Sequence, residues 1–172
     1  MSFALTPERE KLLSEILERY PNRQAACIPA LHLCQEQNGW ISQEIAEWLA
    51  DRLGLSAAQV QGVVSFYSLL DGEPKGKHQI WVCHTLGCAL RGSERIRAQC
   101  EKRLGIRCGQ TTADGKVTLR TAECLASCGT GPVLQVDQQY HERVTPKDVD
   151  DILDRLLGDG DAGAAELEPK AR

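Results

Sequence analysis

HQIWVCHTLGC, residues 78–88, reads as a buried strand that runs straight into a loop bounded by two cysteines. Ile80, Trp81 and Val82 are strand-favouring side chains in a short apolar run, and Gly87 keeps the following loop slim. The sequence before this stretch carries a helical period, and the sequence after it mixes strands with helices.

Working back towards the N-terminus, four helices are expected. Thr6 is placed to cap the first and Pro7 to open it. Leu12, Leu13, Ile16, Leu17 and Tyr20 form its apolar stripe, and Pro21 stops it. The second covers Arg23 to Asn38, with Ala26, Leu31 and Cys34 inward and Gly39 after its end. The third starts at Ser42 and carries Ile45, Trp48, Leu49 and Leu53 before Gly54. The fourth opens on Ser56-Ala57-Ala58-Gln59, a capping-box pattern, and runs into GVVSFYSLL (62–70). DGEPKGKH (71–78) is a turn-rich linker. Residues 1–72 are therefore expected to form a small helical unit.

Beyond the quoted stretch, a helix is expected from Gly92 to Leu104. KVTLRTAE (116–123) alternates Val117, Leu119 and Thr121 against Lys116, Thr118 and Arg120, as a half-buried strand does. VLQVD (133–137) is a further strand. Thr145, Pro146 and Asp148 open a last helix, whose Val149, Ile152, Leu153, Leu156 and Leu157 face a core. The predicted class is α+β: an N-terminal helical bundle, then a small mixed sheet with helices against it over residues 73–157, a thioredoxin-like plan. The small, polar tail 158–172 is expected to be disordered.

The chain has 172 residues, 42% of them apolar, with a net charge of −4 and a pI near 5.6. An acidic balance argues against nucleic-acid binding, which needs a basic field. No apolar run approaches the ~20 residues that span a bilayer, and MSFALTPEREKLL has no secretory pattern. The expectation is a cytoplasmic protein, where thiols stay reduced. Eight cysteines then read as metal or redox chemistry before they read as disulfides.

Four of them are singled out. Cys83 and Cys88 form C-x4-C after one strand, and Cys124 and Cys128 form C-x3-C in CLASCGTGP (124–132) after another. Thiolates from two such loops can converge on one zinc ion or one [2Fe–2S] cluster. Gly87, Gly129 and Gly131 lean towards the cluster, because they let backbone N–H groups approach sulfur. Cys88 is expected just before a helix N-terminus, whose dipole favours thiolate.

CHTLGC and CLASCGTGP, with PALHLCQEQNGWIS (29–42), GVVSFYSLL (62–70), RGSE (91–94) and YHERVTPKDVDDIL (140–153), resemble the E-type subunits of NADH–quinone oxidoreductase, the respiratory complex I family. The resemblance runs from Leu5 to Leu157. It implies a thioredoxin-like domain binding one [2Fe–2S] cluster through Cys83, Cys88, Cys124 and Cys128, and an electron-transfer role. It implies an F-type partner, the flavoprotein that carries FMN and binds NADH, and a larger, G-type iron–sulfur partner. It also implies a cytoplasmic position peripheral to the membrane, as part of a complex. NAD-linked hydrogenases and NAD-dependent formate dehydrogenases contain similar small subunits. A zinc-binding interaction module is the alternative of another class.

The other candidates read plainly. Cys27 and Cys34 share a helix face, and Cys100 continues a stripe from Ile96, so all three read as core. Cys108, at a helix exit, is left outside the ligand set. His84 is read as facing solvent or a partner. Six basic and two acidic residues between Arg91 and Arg107 read as a solvated helix face. Phe66 and Tyr67 fit either a core or a partner contact. No Walker loop, G-x-G-x-x-G or C-x-x-C is present. The chain is expected to bind neither NADH nor FMN itself.

Overall fold

A computed structural model describes residues 3–158 of the chain; the expected disordered tail lies, beyond Gly158, outside the described residues. Thr6 caps the first helix, α1 (Pro7–Arg19), by accepting from the Arg9 N–H at 3.4 Å. Leu13 is buried and Ile16 and Leu17 pack beside it, but Leu12 and Tyr20 are exposed. A helix turns about 100° per residue, so Leu12 stands a quarter-turn off the Leu13 stripe, and Tyr20 lies past the helix end.

The second helix, α2 (Cys27–Asn38), starts four residues later than the sequence pattern predicts. Residues 23–26 form a turn, with Asn22 Oδ1 accepting from the Ala25 N–H at 2.8 Å. Pro29 gives the reason. In a helix starting at Arg23 its ring would strike the Ala25 carbonyl; in a helix starting at Cys27 it sits in the first turn, where proline is tolerated. Helices α3 (Gln43–Leu53) and α4 (Ala57–Phe66) have Ser42 and Ser56 as caps, and Ser56 and Gln59 complete a capping box. Leu13, Leu31, Cys34, Ile45, Leu49, Leu53 and Val60 form the core of this unit.

The chain divides into two compact units, Met1–Lys75 and Gly76–Arg172. The bonding of the linker explains the position. The Asp71 carbonyl accepts from Ile41 N–H at 2.7 Å, and Lys75 pairs with the Asp71 carboxylate at 2.8 Å. From Gly76 onward the bonds change sides: its N–H donates to Thr118 Oγ1 at 2.7 Å and Lys77 N–H to the Gly115 carbonyl at 3.0 Å. A Cβ on Gly76 would lie 2.8 Å from the Val117 backbone, so only glycine fits there.

In the second unit β1 (His78–Cys83) leads through α5 (Leu86–Leu90) and α6 (Ser93–Leu104) to β2 (Val117–Ala122), then β3 (Leu134–Val136), β4 (Gln139–His141) and α7 (Pro146–Leu157). The sheet order is β2-β1-β3-β4. β1 and β2 are parallel, with Cys83 opposite Ala122, while β3 runs antiparallel to β1 and to β4. Ile80, Val82, Leu119 and Leu134 pack with Ile96, Cys100, Val149 and Leu153. Arg103 ties α6 to α7 through Asp150 at 2.8 Å and Asp154 at 2.5 Å. Along β2 the expected alternation fails at two threonines: Thr118 is 3% exposed and Thr121 is exposed. The Thr118 hydroxyl is buried because it meets Gly76 N–H and, at 2.8 Å, the Thr111 hydroxyl, so its polarity is satisfied. No helix among the described residues is long and apolar enough to cross a membrane.

Candidate metal centre

Both cysteine loops leave the same edge of the sheet, because β1 and β2 are parallel and end in register. The second loop must then pass from β2 to β3, and β1 lies between them. CLASCGTGP therefore crosses the end of β1, above Cys83. Cys83 N–H donates to the Val133 carbonyl at 3.2 Å, which fixes where that crossing lands.

Strand alternation puts Cys83 on the Trp81 face, away from Ile80 and Val82. It is buried in a separate small cluster with Cys88, Val133 and Leu125. Cys88 lies ahead of α6, as its sequence position suggests, but inside a short helix of its own, α5, turned inward, while Leu86 and Leu90 on that helix stay 73% and 79% exposed. Cys124 is exposed in the loop, and Cys128 is exposed at the start of a single 3-10 turn, Cys128–Thr130. Two of the four thiols are thus buried and two face outward. Among the described residues no three Cys, His, Asp or Glu side chains form a ready single-ion site.

The surroundings of the sulfurs are rich in donors. Burial pushes the Cys83 thiol up, but the Thr85 hydroxyl, the backbone N–H groups of Leu125 and Thr85, and the Cys88 thiol outweigh it, so Cys83 sits below its ordinary value. Cys88 moves the other way, raised by burial and by its bond to Cys83 despite a backbone bond from Val133. Ala126 adopts a left-handed backbone (φ 55°) and its N–H points at Cys124 Sγ, 3.3 Å away. Burial pushes Cys34 and Cys100 up to about 12 and raises Cys27. Those three are core thiols, as their helix positions predict. Cys108 is partly buried against the same core as Cys100, its thiol raised by burial.

Gly131 is the tight point. A Cβ there would lie 3.2 Å from Cys88 Sγ and 3.5 Å from Arg91 Cδ. Gly87 is looser, at 3.8 Å from Cys128 Sγ, and Gly129 has nothing within 4 Å, so it makes no close approach to a sulfur. The donor set of four thiols, N–H groups aimed at sulfur and one tight gap at Gly131 fits a thiolate-ligated cluster. Arg91 Nη1 also donates to the Cys128 carbonyl at 2.5 Å. The RGSE motif gives no hint of this bond, and nothing in the sequence marks Leu125, Val133 or Ala126 as donors.

His84 does not simply face solvent: its Nε2 meets Glu123 Oε1 at 3.2 Å, joining the two loops. The basic run is an ion-paired helix face, with Arg97 on Glu94 and Glu101, and Arg107 on Glu101. Phe66 is 80% exposed and Tyr67 lies edge-on to it, so neither is core.

The thioredoxin-like [2Fe–2S] ferredoxin family model matches residues 13–157. The E-type NADH–quinone oxidoreductase subunit of Escherichia coli strain K12 is 36% identical over 154 residues, covering 90% of this chain and 93% of that protein. Its counterpart in Rickettsia conorii is 36% identical over 161 residues, covering 92% and 96%. Among solved structures, the NAD+-reducing [NiFe]-hydrogenase in its air-oxidized state superposes over 76% of this chain with a TM-score of 0.67. At 17% identity, and with only 22% of that chain spanned, the likeness is one of fold. Matched across both of its units, and at 36% identity over nine-tenths of its length, the chain belongs to the thioredoxin-like [2Fe–2S] ferredoxin family, within the branch formed by the E-type subunits of NADH–quinone oxidoreductases.

Proposed function

We propose that this chain holds one [2Fe–2S] cluster on Cys83, Cys88, Cys124 and Cys128 and passes single electrons within the NADH-oxidising arm of a respiratory NADH–quinone oxidoreductase. The observation that carries the proposal is the crossing of the C-x3-C loop over the strand that ends in the C-x4-C loop, with Gly131 leaving room against Cys88 Sγ. When bound, the cluster takes up and releases one electron without bond-making. The protein's part is to hold it. Cys83 and Cys88 would anchor its inner edge, where Thr85, Leu125 and Val133 donate to sulfur, and Cys124 and Cys128 its outer edge.

In this reading the residues from 73 to 157 are the cluster domain and residues 1–72 are a helical docking unit. Leu86 and Leu90 stand exposed beside the outer edge, and Phe66 is exposed on the helical unit. Such side chains fit a subunit that works under cover of others. The partners are a flavoprotein subunit carrying FMN and the NADH site, which exchanges the electron, and a larger iron–sulfur subunit. The complex would sit on the cytoplasmic side, peripheral to the membrane. A second reading, the equivalent module of an NAD-linked hydrogenase or formate dehydrogenase, has the fold shared with the NAD+-reducing hydrogenase in its favour. Affinity capture of the tagged chain from its own cells separates the two by which large subunits come with it.

The test of the cluster is a visible absorption and EPR spectrum of the anaerobically purified chain before and after dithionite, with iron, sulfide and zinc assayed on the same sample. About two irons and two sulfides per chain, EPR-silent until reduced, is the expected result. A colourless chain with one zinc and no iron, from cells able to build clusters, refutes it in favour of a structural zinc module.

A further inference from the structure

Arg91 closes α5 and its side chain turns back across the second cysteine loop. Nη1 donates to the Cys128 backbone carbonyl at 2.5 Å, and Cδ lies 3.5 Å from where a Gly131 Cβ would stand. The carbonyl and the Cys128 sulfur belong to one residue. Covalent geometry therefore holds the guanidinium within roughly 7 Å of that sulfur. Neither carboxylate bonded at this loop pairs with Arg91: Glu123 meets His84, and Glu142, which keeps its charge, accepts from the Ser127 hydroxyl. The cation bonded into the ligand loop is Arg91.

Resting on the cluster reading above, we infer that Arg91 is a positioning residue that fastens the Cys128 loop to α5 and whose charge raises the reduction potential of the cluster. Reduction adds one electron, turning a pair of ferric irons into one ferric and one ferrous. The ligated group becomes one unit more negative. A fixed positive charge beside it stabilises that state more than the oxidised one. Arg91 is exposed, so solvent weakens the effect without cancelling it.

The experiment compares the full chain with its Arg91→Lys, Arg91→Gln and Arg91→Met variants. Iron and sulfide per chain are assayed first, and the midpoint is then read by EPR in a dithionite-poised titration. Lysine keeps the charge and should stay within about twofold of the wild-type reduction constant. Both neutral variants should lower that constant at least about threefold, a midpoint drop of about 28 mV at 59 mV per decade. Glutamine can still donate to a carbonyl and methionine cannot, so agreement between them assigns the effect to charge. Wild-type midpoints in the neutral variants, or a lysine variant that falls with them, would overturn the inference. So would iron loss in the methionine variant with full iron and a wild-type midpoint in the glutamine variant, since Arg91 would then be a structural clamp alone. A wild-type chain without iron refutes the cluster reading itself, a separate failure.

Discussion

Replacing Gly131 by alanine tests whether close packing at the second cysteine loop shapes the site. The backbone there (φ −63°, ψ 159°) suits any residue, so no conformational strain arises. On that ground alone alanine would stabilise by about 0.4–1 kcal/mol, because the unfolded chain loses freedom. Against this stands the new methyl group, 3.2 Å from Cys88 Sγ and 3.5 Å from Arg91 Cδ. The Arg91 stem can swing aside. Cys88 cannot, since it is 1% exposed inside α5 and packed on Cys83 and Val133. Overpacking of this kind costs about 1–3 kcal/mol. The net expectation is a loss of roughly 1 kcal/mol, or about 4–8 °C in the melting of a unit this size. Urea unfolding of the chain measures it, and hydrogen exchange of the β1 and β2 amides assigns it to this unit. Gly129→Ala is the control, because its methyl would meet nothing within 4 Å. If Gly131→Ala matches that control in stability and in iron content, the close approach constrains nothing and the packing argument fails.

Cys124→Ala should lose or destabilise the bound iron while Cys27→Ala retains it, since Cys27 lies in the core of the other unit; equal iron loss would break the ligand assignment. His141 is held below its ordinary value by burial and then by Arg155, with Asp148 opposing. Its charged form is disfavoured in the fold, so its contribution is intact above the unfolded value near 6.5 and is lost as pH falls through it, levelling off below the folded value. His141→Gln should flatten the stability difference between pH 7.5 and 5.5 in urea titrations, and an unchanged slope would show that the group is not coupled to folding. Thr145→Ala removes the hydroxyl that accepts from Asp148 N–H at 3.3 Å and should cost about 1 kcal/mol in the same assay.

Legibility followed the kind of force involved. The caps were readable because they are local: Thr6, Ser42, Ser56 and Thr145 each serve an N–H three residues on, and the structure keeps all four. The start of α2 is legible too, because Pro29 is compatible with a helix starting at Cys27 and not with one starting at Arg23. Burial of Thr118 was not, because it depends on Gly76 and Thr111, which only the folded sheet brings to it. The same holds at the candidate site. The four cysteines stand out by spacing, but the donors that bear on them come from Leu125, Val133 and Ala126, residues chosen by backbone path and not by side chain. Helix α5 is not legible, because five residues are too few for a period to show.

The parallel pairing of β1 with β2 does more for the candidate site than any residue in it. Cys83 and Ala122 are opposite one another, so Cys124 starts two residues beyond the strand end that Cys83 closes. Were the two strands antiparallel, the six residues of β1 would separate the loops by roughly 20 Å at about 3.3 Å per residue. Parallel pairing in turn requires a long crossover, which α5 and α6 supply. A slip of one residue in the β1–β2 register would also turn Cys83 to the opposite face, among Ile80 and Val82. What fixes the register is the packing of Ile80, Val82 and Leu119 against Ile96 and Cys100. None of these side chains belongs to the proposed ligand set. They determine it all the same, because two thiol pairs far apart in sequence converge only if the sheet beneath them has one alignment.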